Sequence, residues 1–267
     1  MFEERAQKAL AKLGFGSRRE IERWIEQGAV KVNGKKIELG AKLVEGDRVQ
    51  LNNRSVIINS KQDQTRVILY NKPEGEICTR NDPEGRKSVF KNLPKIKSGR
   101  WINIGRLDIN TSGLLLFTNN GELANRMMHP SYEIEREYAV RVNGHVSNDV
   151  LEKLQKNVEL EDGNAHFESI EDGGGQGKNH WYHVVLKEGR NREVRRLWDA
   201  VDCQVSRLIR IRYGIFTLPR NLRQRNTVEF DYKVVQQMAD DVNLTIEGPK
   251  PVSAAKRHYQ SKGGKRK

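Results

Sequence analysis

Apolar positions recur at helical spacing near the start of the chain and at strand spacing through much of the rest. Ala6, Leu10 and Leu13 share a stripe within 3–13, with Ala9 beside it, which predicts a first helix stopped by Gly14 and Gly16. Ser17 followed by Glu20 is a capping-box signature, and a second helix to about Gln27 would bury Ile21, Trp24 and Ile25. Val30–Val32, a turn at Asn33–Gly34, Ile37, Leu43 and 47–51 then read as short strands, the Asn-Gly pair favouring a tight hairpin. Residues 53–64 hold one short apolar run and a polar stretch that suits a linker. Further on, strands are predicted at 67–70, 101–104, 114–118, 138–142, 181–186 and 205–213. Helices at 122–128, 147–154 and 193–200 are scattered among them. Because helices and strands do not alternate regularly, the pattern favours a mixed α+β domain over stacked βαβ units. Residues 171–179 (EDGGGQGKN) are expected to be an exposed loop. The organisation predicted is a small αα-β domain over 1–60, an α+β domain over 65–248 and a disordered basic tail over 249–267.

Charge narrows the partner. The chain of 267 residues carries a formal net charge of +13. From Lys250 onward there are seven Lys/Arg and no acid, about half of the excess, so the body is basic as well. A basic body suits a polyanion, either nucleic acid or an anionic membrane. No window approaches the ~20 apolar residues of a membrane span, and no basic segment carries a broad apolar face, so no membrane partner is expected. The opening MFEERAQKALAKLG has two acids and no long apolar run, unlike a signal peptide. Cys78 and Cys203 lack metal or redox spacing and are expected to stay reduced, in a cytoplasmic protein. There is no GxGxxG, no Walker loop and no HExxH, and the six histidines do not cluster by spacing. An enzyme built from this chain is expected to work without metal or cofactor. Nothing in the sequence demands a dimer, so a monomer is expected.

Candidate chemistry centres on GRLDINTSGLLLFTNNG, 105–121. Asp108 follows a predicted strand in a glycine-bounded turn. It reads either as a turn-forming, solvated acid or as a residue presented by a rigidly held loop. Asn110, Thr111 and Ser112 are suited to locking the turn by local hydrogen bonds, and Gly113 leaves room for a close approach. In KEGRNREVRR, 187–196, the residues Arg192, Arg195 and Arg196 share one helix face. They read either as a phosphate-binding surface or as a source of one arginine that keeps a carboxylate ionised. Arg210 and Arg212 extend the basic theme on the next strand. Arg18, Arg19 and Arg23 lie on the second helix among Glu20, Glu22 and Glu26, and read either as a solvated face or as an RNA contact. Tyr138, opening a strand, suits either the core or a platform under a base.

Three of these stretches, GRLDINTSGLLLFTNNG (105–121), REYAVRV (136–142) and EGRNREVRRLWDAV (188–201), resemble the core motifs of RNA pseudouridine synthases. GSRREIERWIEQGAVKVNG (16–34) resembles an S4 RNA-binding module. YNKPEGEICTRNDPEGR (70–86) and VSRLIRIRYGIFTL (205–218) also match, so that the likeness covers roughly residues 3–235. The branch is the one that modifies ribosomal RNA and carries an S4 domain in front. The resemblance implies an α+β catalytic domain around a mostly antiparallel mixed sheet, preceded by a small S4-like αα-β domain. It implies that Asp108 is the catalytic aspartate, that Tyr138 packs against the base and assists its final deprotonation, and that Arg195 pairs with the aspartate. Arg106 would fill the gap left by a flipped-out nucleotide. Arg18, Arg19, Arg23, Arg190, Arg192, Arg196, Arg210 and Arg212 would meet the RNA, and Lys72 and Pro73 would be structural. The implied partner is large-subunit ribosomal RNA, as an assembly intermediate or in protein-poor form. Isomerising uridine consumes no redox equivalent, phosphate or metal, in keeping with the missing cofactor motifs. Two alternatives stay open at this point: the same chemistry on small-subunit RNA or tRNA, and a non-catalytic RNA-binding assembly factor.

Overall fold

The computed structural model describes residues 3–59, 64–96, 99–144, 146–176 and 179–248. The tail expected over 249–267 lies outside the described residues.

The N-terminal unit starts with strand β1 (Glu3–Arg5), where helix alone was predicted, followed by α1 (Ala6–Lys12) and α2 (Arg18–Glu26). The capping box is present: Ser17 Oγ accepts from the Glu20 N–H at 3.1 Å and the Glu20 carboxylate accepts from the Ser17 N–H at 2.7 Å. Strands β2 (Val30–Val32), β3 (Lys35–Lys36), β4 (Lys42–Val44), β5 (Arg48–Leu51) and β6 (Arg54–Ile57) follow. β3, β2, β5 and β6 form one antiparallel sheet, in that order, while β1 pairs with β4. The short apolar run after residue 53 is thus a strand of this sheet. Leu10, Ile21, Ile25, Val30, Val49 and Leu51 make a core separate from the rest.

The second unit runs β7 (Val67–Lys72), β8 (Ile102–Ile104), β9 (Ser112–Thr118), α3 (Gly121–Met128), β10 (Arg136–Asn143), α4 (Asn148–Lys156), β11 (Val158–Leu160), β12 (Gly163–Ala165), β13 (Ser169–Gln176), β14 (Asn179–Leu186), α5 (Glu193–Asp199), β15 (Val205–Tyr213), β16 (Phe216–Thr217), β17 (Thr227–Glu229) and α6 (Tyr232–Asp240). Its main sheet has the order β13-β14-β10-β15-β9-β7-β17, with β8 beside β9 and β16 beside β15. All its pairings are antiparallel except β15 with β9, which is parallel and holds for only two residue pairs, Ile209 with Ser112 and Arg210 with Gly113. Two antiparallel halves therefore meet at a short seam and part again beside it.

Burial explains the apolar run at Leu114–Phe117. β7 and β9 are covered on both faces, Leu114 and Leu116 packing with α3 and α6, and Leu115 and Phe117 with Tyr70, Val89 and Trp101. A strand buried on both faces has no reason to alternate. The cap of α6, Asp231 Oδ1 accepting from the Val234 N–H, and its buried Val235, Met238 and Ala239 were not anticipated. Residues 171–176 are strand β13 rather than loop. A Cβ on Gly175 would stand 2.4 Å from the Asn179 carbonyl oxygen, so this glycine permits a tight strand approach. Among the described residues no helix is long and apolar enough to cross a membrane.

Candidate active site

The loop carrying Asp108 joins β8 to β9, at the seam between the two half-sheets. It is held from below by a buried cation. Lys72, fully buried at the end of β7, donates to the carbonyls of Pro73, Asp108 and Thr111 at 3.0, 3.0 and 2.8 Å. Burial lowers the Lys72 pKa, opposed by nearby Cys78, Glu76 and Asp108. The Gly75 N–H donates to the Ile109 carbonyl at 2.7 Å, and the Thr111 N–H to the Asp108 carbonyl at 3.1 Å. Cys78 accepts from the Leu107 N–H at 3.5 Å, and burial pushes its thiol up. The lock therefore comes from Lys72 and the backbone. The side chains of Asn110, Thr111 and Ser112, expected to supply it, make no hydrogen bond among the described residues.

Gly113 allows the seam to close. Its φ is +101°, and a Cβ there would lie 2.3 Å from the Arg210 carbonyl oxygen, inside the parallel strand partner. The close approach expected at this glycine is that of β15.

Above the loop lies a cleft of about 620 Å³, lined by Asp108, Arg106, Tyr138, Arg192, Arg210 and Tyr213 among others. That volume is in the range of small-ligand sites, roughly 300–1,000 Å³, and admits one nucleotide. Asp108 keeps 35% of its side chain exposed, so its carboxylate is reachable from the cleft. Tyr138 lies opposite Arg210 in the β10–β15 pairing, next to a register shift. It packs partly against two of the cores.

The arginines divide sharply. Arg195 does not make the direct pair with Asp108 that the motif implied. Its guanidinium donates to the Val205 carbonyl at 3.0 Å and to the Asn110 carbonyl at 2.8 Å, bracing the Asp108 loop against β15. Burial lowers its pKa, as does Arg192, while Asp108 is close enough to raise it. The guanidinium nearest the carboxylate is that of Arg192, at 4.0 Å. Arg192 caps α5 with φ +50° and is substantially exposed. Arg210, expected to meet the RNA, is instead 2% exposed; its Nε donates to the Leu114 carbonyl at 2.8 Å, and its Nη2 is buried without a partner. Arg196 is held by both oxygens of Asp162, at 2.7 and 3.0 Å. Arg190 is spent on Glu188 and the carbonyls of Gly163 and Asn164. Arg212 pairs with Glu135 and Glu137. Arg106, Arg18, Arg19 and Arg23 are exposed and make no hydrogen bond or ion pair among the described residues.

Two groups in the cleft wall were missed. Arg136, 6% exposed, donates to the Tyr213 hydroxyl at 3.2 Å and to the carbonyls of Ile134 and Lys187. It opens the motif REYAVRV, but nothing in the sequence separates it from a surface arginine. Glu193, 3% exposed, is pushed up to about 7 by burial and by the neighbouring Glu188 carboxylate. Among the described residues no cluster of His, Cys, Asp and Glu is arranged to hold a metal.

Comparison with known proteins identifies this arrangement. Residues 66–200 match the family model described as RNA pseudouridylate synthase, and residues 4–49 match that of the S4 domain. The chain is 52% identical over 247 residues to a ribosomal large subunit pseudouridine synthase B from Yersinia pestis, covering 91% of this chain and 78% of that protein. It is 50% identical over 281 residues to the protein of that name from Escherichia coli K12, covering 98% and 97% respectively. A crystal structure of a pseudouridylate synthase superposes with a TM-score of 0.61 at 21% identity, over 88% of this chain and 99% of that one, a likeness of fold. With its S4 unit in front and its Asp108 loop at the seam of a mixed sheet, the chain belongs to the RNA pseudouridine synthases.

Proposed function

We propose that the protein isomerises a uridine of large-subunit (23S) ribosomal RNA to pseudouridine, with Asp108 as the nucleophile. The observation that carries this reading is the exposed carboxylate of Asp108, on a loop braced by Lys72 and Arg195, facing a nucleotide-sized cleft that Tyr138 also lines. The target base is taken out of its stack to reach that depth, and Arg106 stands free at the cleft to occupy the space it leaves. Asp108 attacks the flipped nucleotide as the C1′–N1 bond breaks. The uracil turns and rejoins C1′ through C5, the bond to Asp108 breaks and returns its carboxylate, N1 gains a proton, and C5 loses one with help from Tyr138. Nothing is oxidised or consumed. Arg192 is the cation nearest the carboxylate, at 4.0 Å, and Arg195 is a positioning residue acting through the Asn110 carbonyl. The free arginines of α2 follow the RNA backbone outside the cleft. The free thiols of Cys78 and Cys203 suit work in the reducing cytoplasm, where ribosomal RNA is assembled.

The test is a map of pseudouridine in ribosomal RNA and tRNA from cells lacking the protein, complemented with wild type or Asp108→Asn. One large-subunit site lost and restored only by wild type is expected. Restoration by both forms removes Asp108 from the chemistry. Loss at a small-subunit or tRNA site moves the substrate, and no loss anywhere leaves an assembly factor.

A further inference from the structure

The S4 unit and the catalytic domain touch along a tight seam. A Cβ on Gly14 would stand 2.7 Å from the Gly99 carbonyl oxygen, so the two backbones meet directly. Beside this contact three arginines converge. Arg18, the first residue of α2, reaches across to α3, its Nη2 4.0 Å from where a Gly121 Cβ would be. Arg80 donates to the Trp101 carbonyl at 2.7 Å with its guanidinium 3.9 Å above the Phe90 ring, leaving its other edge exposed. Arg100 is half-buried, and its Nε is shut off from solvent with no hydrogen-bond partner.

Among the described residues one carboxylate faces them, and it is already engaged. Glu20 accepts from the Ser17 N–H at 2.7 Å in the capping box and from Asn81 Nδ2 at 3.5 Å, and it forms no ion pair with any of the three. Burial and mutual repulsion lower the pKa of Arg80 and of Arg100. A structural ion cluster at a domain seam balances its charges, because an unmatched, partly desolvated cation costs stability. Three guanidiniums against one occupied carboxylate leave an excess of positive charge with donors to spare. Planar guanidinium forks match the geometry of phosphate oxygens.

We propose that Arg18, Arg80 and Arg100 form a phosphodiester-binding site at the seam, which seats the backbone of the substrate RNA and fixes α2 relative to the cleft. This rests on the RNA-substrate reading above. It assigns the seam a function separate from the outer face of α2, because Arg80 and Arg100 belong to the catalytic domain. Bound phosphate supplies the missing counter-charge, so the two units are held in one register when RNA is present.

The experiment uses the full chain with Arg100→Gln and, separately, Arg80→Gln. It measures affinity for a large-subunit ribosomal RNA fragment across a salt series, and Tm without RNA. Each variant is expected to weaken binding, Arg100→Gln roughly tenfold, the scale of one charge-assisted hydrogen-bonded contact. The log-affinity against log-salt slope should fall by about one phosphate contact. Without RNA, the Tm of Arg100→Gln should hold or rise, since a repelling cation that makes no hydrogen bond among the described residues is gone. Unchanged affinity and slope in the exposed-edge variant Arg80→Gln would overturn the site, even if Arg100→Gln folds poorly. A lower Tm with unchanged affinity in Arg100→Gln would make the cluster structural. A wild-type chain that does not bind the fragment fails the RNA reading itself, before any variant is compared.

Discussion

The arginines of α2 and those of the α5–β15 region look alike in the sequence, and the fold puts them to opposite uses. Arg18, Arg19 and Arg23 stand exposed without a hydrogen bond or ion pair among the described residues. Arg190, Arg195, Arg196, Arg210 and Arg212 are all consumed internally, by carboxylates or by backbone carbonyls. The first group is free charge that a polyanion can neutralise. The second is scaffold, spending its charge on holding the catalytic loop and the strands around it. A basic motif is therefore an RNA footprint only where the fold leaves its cations unpaired. In the cleft, Arg106 meets that condition, while Arg192 faces Asp108 at 4.0 Å.

The widest separation between the two regions comes from the loop they serve. Asp108→Asn is expected to cut turnover by at least ~10³-fold, as removal of a nucleophile does, with little loss of RNA affinity; release of the C5 hydrogen as tritium reads the first and filter binding the second. An effect on binding alone would remove the nucleophile role. Arg195→Ala strands the carbonyls of Asn110 and Val205, and a loss of about 2–3 kcal/mol in urea unfolding is expected, with turnover falling as the loop loosens. Arg195→Lys should recover part of both. Arg19→Ala with Arg23→Ala should instead leave stability within about 0.5 kcal/mol, raise KM and reduce the salt slope by about two phosphate contacts. A slope unchanged from wild type would sink the claim that the outer face of α2 meets RNA.

A smaller effect separates the cleft wall from the rest by pH. Glu193 holds its proton more tightly folded than unfolded, its value rising from 4.5 to about 7. Its contribution to stability is full below the ordinary carboxylate value and is lost as pH rises through about 7. Glu193→Gln keeps an oxygen to accept from the Arg190 N–H. Its Tm should exceed that of wild type by a few degrees in mildly alkaline buffer and match it in acid. Smallest of all, Arg196→Ala breaks a partly exposed pair with Asp162 and should cost no more than about 1 kcal/mol.

Much of the local structure was legible along the chain. The capping box at Ser17 and Glu20, the Asn33–Gly34 turn and the periodicity of α2 and α3 are decided by interactions a few residues apart, so the sequence determined them by itself. The motifs around Asp108 and Tyr138 were legible by resemblance, and the fold brings both residues to one cleft. Elements with little local signal were missed or misread: β17 and α6 depend on faces supplied by distant strands, and the glycines of β13 look like a loop until Asn179 and His180 are placed beside them. Only the tertiary structure could decide which cation does what. Whether Arg195 meets a carboxylate or a carbonyl, and whether Arg210 faces solvent or Leu114, depends on strands nearly a hundred residues away in the chain closing at Gly113. Charge is written in the sequence, but burial and partners are properties of the packed molecule, and they determine whether an arginine binds RNA or the protein itself.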